Sequence, residues 1–329
     1  MNKEKQFALG IDIGGTNTAI GVVDNAGNVL IKKSIETPKH GDVERYVGSI
    51  TETVRGMMKE VSQLNPDSEI LGIGIGAPNG NYYKGTIEYA PNLSFKGIVP
   101  LVELLKKEFT DLRSVALTND ANAAAMGEMI YGGAKGMKDF VMYTLGTGVG
   151  SGVIVNGDLV YGCNGFAGEC GHTLLIKNGR ACGCGINGHL ESYCSAGGMK
   201  RTAFELLAYY NATDSALANK SFNELTSKDI YEAAKNGDKI ALEVFERTGD
   251  YLAQGITNTI HHTAPEAIFI FGGPTAAGEI LFEPIRRYVD KYLLNIFKGS
   301  VKILPSQLKL GDAAIVGASA LVWNEINKQ

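Results

Sequence analysis

Residues 7–13 (FALGIDI), 18–23 (TAIGVV) and 28–34 (NVLIKKS) are short apolar or alternating runs separated by Gly-Gly-Thr and Asn-Ala-Gly. Apolar runs broken by turn residues predict antiparallel strands, so the chain is expected to open as a three-stranded meander. Across 43–63, Val47, Ile50, Val54, Met57, Met58 and Val61 recur at helical spacing, and 69–76 (EILGIGIG) then reads as a buried strand. A helix is expected near 98–109, a strand at 114–119 (SVALTN), and another helix opening at Asp120 with the run ANAAAMGEM. Strands alternating with helices make this half α/β.

The opening pattern then returns. Residues 139–145 (DFVMYTL), Gly146-Thr147-Gly148, 149–154 (VGSGVI), Asn156-Gly157 and 158–161 (DLVY) repeat strand, glycine turn, strand, Asn-Gly turn, strand. Residues 190–264 are mostly helical in pattern. A strand at 267–271 (AIFIF), Gly272-Gly273, a helix near 276–295, a strand at 301–305 and a last helix from Asp312 complete the chain. The repetition predicts two similar α/β domains facing each other across a cleft, each offering backbone N–H groups from a glycine turn to one ligand.

Composition narrows the class. The 329 residues suit two domains at roughly 150 each. The chain is 44% hydrophobic and 20% charged, too apolar for a disordered chain. A net charge of −4 without a basic block argues against nucleic acid or an anionic membrane as partner. Asp12 interrupts the N-terminal apolar run before signal-peptide length, and no later run approaches about 18 apolar residues, so a cytoplasmic protein is expected. Three of the five cysteines (Cys170, Cys182, Cys184) crowd near His172 and His189, which in a reducing compartment points to metal rather than disulfide.

Three glycine motifs sit at strand ends: Asp12-Ile13-Gly14-Gly15-Thr16, Gly146-Thr147-Gly148 and Gly272-Gly273. Each lets backbone N–H groups approach a polyanion, and the carboxylate of Asp12 suits Mg²⁺. One such turn can be a plain hairpin; three together point to a nucleotide site. None has the spacing of a P-loop or of a dinucleotide fold. Asn119-Asp120 lies where a strand gives way to a helix. There Asp120 is either an N-cap or, beside a triphosphate, a base for an attacking alcohol whose neighbour Asn119 holds. Asn92, Glu169, His172 and Glu191 are short polar groups in glycine-rich contexts, of the types that bond sugar hydroxyls. His172, Cys182, Cys184 and His189 offer four N/S donors for tetrahedral Zn²⁺, the alternative being a tight turn with buried thiols. His40 and the His261-His262 pair read as structural.

Together DIGGT (12–16), GIGIGAP (72–78), APNL (90–93), TNDANAAAMGE (118–128), LGTGVGSG (145–152), GFAGECGH (165–172), CGCGINGHLE (182–191) and FGG (271–273) resemble the ROK (repressor, open reading frame, kinase) family of sugar kinases, most of all its bacterial glucose-phosphorylating members. The resemblance spans nearly the whole chain. It implies the two-domain actin/hexokinase-like, ribonuclease-H-like fold with the ligand cleft between domains: a small α/β domain of 1–118 plus 312–329 and a large one of 119–311 carrying the zinc loop. The implied reaction is ATP-dependent phosphorylation of glucose at the 6-hydroxyl. Asp120 is then the base, and Asn92, Asn119, Glu169, His172 and Glu191 hold the sugar. Asp12, Gly14, Gly15, Thr16, Gly146, Thr147, Gly148, Gly272 and Gly273 serve ATP and Mg²⁺. His172 is expected to meet both sugar and a structural Zn²⁺, and a homodimer or homotetramer is expected.

The chain departs from the family pattern twice. His189 stands where the family has Cys, which leaves His189, Cys194 and Cys170 as alternatives for the fourth zinc ligand. Pro78-Asn79 stands where Pro-Gly is usual, at a turn expected to border the sugar. The alternative activities are phosphorylation of N-acetylmannosamine, N-acetylglucosamine, fructose or allose, and, from another class, sugar-responsive transcriptional regulation. The regulator reading is disfavoured because the first strand is expected at about residue 7, ahead of which family regulators carry a helix-turn-helix segment.

Overall fold

A computed structural model describes residues 5–38 and 41–328; His40 lies outside the described residues. In chain order the first elements are β1 (Lys5–Ile13), β2 (Asn17–Asp24), β3 (Val29–Glu36), α1 (Val43–Leu64), β4 (Ser68–Gly76), β5 (Gly80–Asn81), β6 (Thr86–Glu88), β7 (Ile98–Val99), α2 (Leu101–Glu108), β8 (Ser114–Thr118) and α3 (Asp120–Tyr131). There follow β9 (Phe140–Leu145), β10 (Val149–Val155), β11 (Asp158–Leu159), α4 (Glu191–Cys194), α5 (Ala196–Tyr210), α6 (Ser227–Lys235), α7 (Lys239–Thr263), β12 (Ala267–Gly272), α8 (Glu279–Tyr292), β13 (Lys302–Pro305) and α9 (Ala313–Asn327). No helix of the described residues is long and apolar enough to cross a membrane.

The chain forms two compact units: Met1–Gly136 with Leu159–Ala167 and Gln307–Gln329, and Met137–Asp158 with Gly168–Ser306. In the first, a five-stranded sheet has the order β3-β2-β1-β4-β8. The opening meander is antiparallel, whereas β4 and β8 run parallel to β1. Period-two alternation along β1 sends Phe7, Leu9, Ile11 and Ile13 to the face covered by α1, which buries Tyr46, Val47, Ile50, Val54, Met57 and Val61 there. The opposite face of the sheet belongs to α9, with Ala8, Leu71 and Val322 in one cluster and Val23, Ile315 and Val316 in another. The second unit repeats the plan, in the order β11-β10-β9-β12-β13. Again an antiparallel meander comes first and two parallel strands follow. The repeat continues past the first hairpins: Gly76-Ala77-Pro78 ends β4, and Gly272-Gly273-Pro274 ends its counterpart β12.

The first unit reaches beyond residue 118 because α3 packs on α9. Residues 121–128 of α3 are buried around the whole helix, half of them alanines, with Asn122 and Glu128 buried among them. Contact with α9 is close enough that a Cβ on Gly127 would stand 2.9 Å from Gly317 Cα. A side chain there must push the two helices apart, and overpacking of this kind costs about 1–3 kcal/mol. Gly127→Leu is therefore expected to lower the urea unfolding midpoint. An unchanged midpoint would show that the crossing tolerates a side chain.

Candidate active site

Parallel strands in the first unit bring the acidic residues together. Register pairs Asp12 with Gly76, and Gly76 with Thr118, so the carboxyl ends of β1, β4 and β8 are level. Ligands of open α/β sheets gather outside such strand ends. Asp12 ends β1 on the face that α9 covers, and Asp120 begins α3 directly after β8. The N-cap role proves to be Asn119's, whose Oδ1 accepts from Asn122 N at 2.7 Å. Asp120 is the first residue of the helix, and its Oδ1 accepts from Ala121 N at 2.9 Å. This settles the local ambiguity in the sequence: capping uses the Asn and leaves the Asp carboxylate at a positive helix end.

Both carboxyls are displaced from their ordinary range. Asp12 is pushed up to about 6, chiefly by burial and then by the charge of Asp120. Burial also raises Asp120, against the backbone N–H of Ala121, which favours its charged form. Asp120 keeps solvent-accessible surface all the same, so it is crowded by protein yet open to a reactant.

The turn after β1 abuts the loop between β6 and β7. A Cβ on Gly15 would lie 2.7 Å from the carbonyl oxygen of Asn92, so only glycine lets the two segments meet. Leu93 and Phe95 fasten this loop in the core, Phe95 stacking on Tyr46 at 5.7 Å, while Asn92 stays exposed. Beneath it the hydroxyls of Thr18, Thr37 and Tyr46 bond to one another.

In the second unit, Gly146-Thr147-Gly148 links β9 to β10, closed by Gly146 N on Gly148 O at 3.0 Å and by Ala196 N on Gly146 O at 2.9 Å. Glu191 Oε2 accepts from Val149 N at 3.0 Å, and Oε1 lies 3.3 Å from Cys182 Sγ. Glu191 thus braces the glycine turn, and each oxygen keeps a further lone pair for a hydroxyl. Glu169 precedes and His172 ends a single 3₁₀ turn, Cys170–His172, laid against β10. Gly272, at φ 121, pairs with Leu145 where β12 ends, and Gly273 follows it.

His172, Cys182, Cys184 and His189 converge, with all four donor atoms within 4.8 Å of one another. Cys184 Sγ and His189 Nδ1 are 3.1 Å apart, the two His Nδ1 atoms 3.4 Å, and Cys182 Sγ and His172 Nδ1 3.9 Å. Tetrahedral Zn²⁺ with N and S bonds of about 2.0–2.3 Å places its ligands about 3.3–3.8 Å apart; the three separations straddle that range, and all four donors are of the types zinc takes. His189, not another cysteine, completes the set. Cys194 is buried against Thr248 O, and Cys170 contacts Thr259. An anchor that sequence reasoning missed is Arg180. Its guanidinium binds Glu205, Gly198 O and Thr202 and covers the Tyr193 ring at 4.7 Å, tying the loop to α4 and α5. No motif marks an arginine that acts only through tertiary contacts. His261 and His262 serve the end of α7, His262 bonding Asn258 O.

The sequence profile of the ROK family matches residues 8–325. The chain belongs to the ROK family. A glucokinase from Thermotoga maritima is 34% identical, over 97% of this chain and 98% of its own. A xylose repressor from Caldicellulosiruptor bescii is 28% identical over 99% of this chain and 80% of its own. Among solved structures, a ROK family glucokinase from Streptomyces griseus in complex with glucose and AMPPNP aligns at TM-score 0.78 and 32% identity, over 97% of this chain and 99% of that one. The two-domain actin/hexokinase-like fold of ROK sugar kinases is thus the fold of this chain.

The raised pKa of Asp12 has a consequence for stability. Between about pH 4 and 6 the folded state holds a proton that the unfolded state, with its ordinary carboxyl near 3.8, has lost, so stability falls as pH rises through that window. Asp12→Asn is expected to be more stable than the parent at pH 7.5, with the gain disappearing below pH 4. Urea titrations at both pH values test this, and equal midpoints at pH 7.5 contradict it.

Proposed function

We propose that this chain transfers the γ-phosphoryl group of ATP to the 6-hydroxyl of glucose. The carrying observation is Asp120, freed from capping by Asn119 and raised in pKa while still open to a reactant. Similarity to a glucokinase along nearly the whole of both chains, at 34% identity, supports the same reading. In this reading Asp120 accepts the hydroxyl proton, and Asn92, Asn119, Glu169, His172 and Glu191 hold the other hydroxyls. Asp12, Gly14, Gly15, Thr16, Gly146, Thr147 and Gly148 receive the phosphates and Mg²⁺, with Gly272 and Gly273 beside the nucleotide. Phosphoryl transfer passes through a loose transition state, so alignment and charge neutralisation supply most of the acceleration.

We assign the four-donor cluster to structural Zn²⁺. Two thiolates would neutralise the ion, and a loop of many glycines would be ordered by it. Each His turns Nδ1 to the cluster, which directs Nε2 of His172 away from it, toward the sugar in this reading. Assembly as a homodimer or homotetramer remains part of the proposal.

Proton acceptance is typically worth about 10²–10⁴-fold, so Asp120→Ala should lose at least about 100-fold in kcat with far less change in sugar affinity. A coupled ADP-release assay over a hexose panel tests both points. Turnover near the parent value rejects Asp120 as base, and a different best hexose replaces glucose. Zinc should appear at about one ion per chain by metal analysis. Its removal by chelation should weaken glucose binding measured by calorimetry, and unaltered binding in the metal-depleted protein would dissociate His172 from one of its two roles.

A further inference from the structure

Ala77-Pro78-Asn79-Gly80 is a turn at the carboxyl end of β4, closed by Gly80 N on Ala77 O at 3.1 Å. Proline stands second and a positive φ third, Asn79 at 51°, as in a type II turn, where glycine or asparagine fits. The turn itself would therefore form with glycine. The main-chain carbonyl of residue 79 accepts from Glu88 N at 3.1 Å whatever the side chain, and asparagine adds two side-chain bonds, its Nδ2 donating to the carbonyls of Glu88 at 3.0 Å and Tyr89 at 3.3 Å.

Those partners begin the loop that carries Asn92. Tyr89 has φ 51°, a costly conformation for a bulky side chain, and it persists only where neighbours over-determine it. Its N–H closes the loop on Gly97 O at 2.8 Å. The ring, 69% exposed, has little packing to hold it in place. Polar bonds from Asn79 and Gly97 therefore maintain the strained residue, three positions before Asn92.

We infer that Asn79 is a positioning residue for sugar binding: its side-chain amide holds the strained Glu88–Tyr89 segment and so presets the Asn92 loop. This rests on the kinase reading above. Asn79→Gly keeps the turn and removes the amide, whereas Asn79→Ala removes the amide and also disfavours the positive φ. Loss of about one net hydrogen bond from preorganisation should raise KM for glucose about threefold to tenfold in both variants, with kcat within about twofold of the parent. Backbone amide exchange at Tyr89 and Leu93 should accelerate in both. Parent-like KM and exchange in Asn79→Gly overturn the inference, and so does a KM rise confined to Asn79→Ala, because turn conformation alone would then explain it. If the parent chain turns over no hexose, the kinase reading fails. Exchange at Tyr89 and Leu93 then decides the clamp alone: acceleration in Asn79→Gly upholds it and parent-like rates overturn it.

Discussion

Two carboxylates, Asp12 near the end of β1 and Asp120 just past the end of β8, are held where burial raises both, and the charge of Asp120 adds to the cost of ionising Asp12. Folding alone would not choose this: Asp12 sits in surroundings that push its carboxyl to about 6, and an amide in its place would relieve them. Such an arrangement carries a cost that stability alone does not select. The level ends of three parallel strands make it possible, since register alone puts Asp12, Gly76 and Thr118 in a row. The middle position has no side chain to come between the acids.

The molecule uses one architectural unit twice. Each unit has an antiparallel meander, then two parallel strands, and each places glycine at the tip of its first hairpin and at the end of its fourth sheet strand. Backbone N–H groups at such turns are suited to anions with little dependence on side chains, and a duplicated backbone duplicates those turns. The units differ in what was added. In the first, α3 is clamped on α9 by glycine contacts, and its N-terminus carries the acid. The second gained the four-donor loop, held by Arg180 and by Glu191, which joins the donors to the glycine turn.

Much of the site was legible in sequence because its chemistry needs particular residue types at short range. Glycine turns, the Asn-Asp pair at a helix start and closely spaced cysteines and histidines are all local patterns. What local patterns left open was which of two adjacent residues takes which job. Asp120 was open as N-cap or base, and backbone conformation at the junction gives the cap to its neighbour: Asn119 has extended dihedrals and the helix begins at Asp120. His189 was the expected fourth donor with Cys194 and Cys170 as alternatives, and the fold buries Cys194 beneath α7 and turns Cys170 to Thr259.

By itself, then, the sequence determined the order of the principal strands and helices but not the small sheet β5-β6-β7, together with the duplication and the residue types at the candidate site, because hydrophobic periodicity and turn chemistry act over a few residues. Tertiary structure decided the boundary between the units, the helix–helix contact at Gly127 and Gly317, and the reach of Asn79 and Arg180 across intervening segments. Each of those depends on groups distant in the chain meeting at van der Waals or hydrogen-bond distance. No spacing within a single segment records such a meeting.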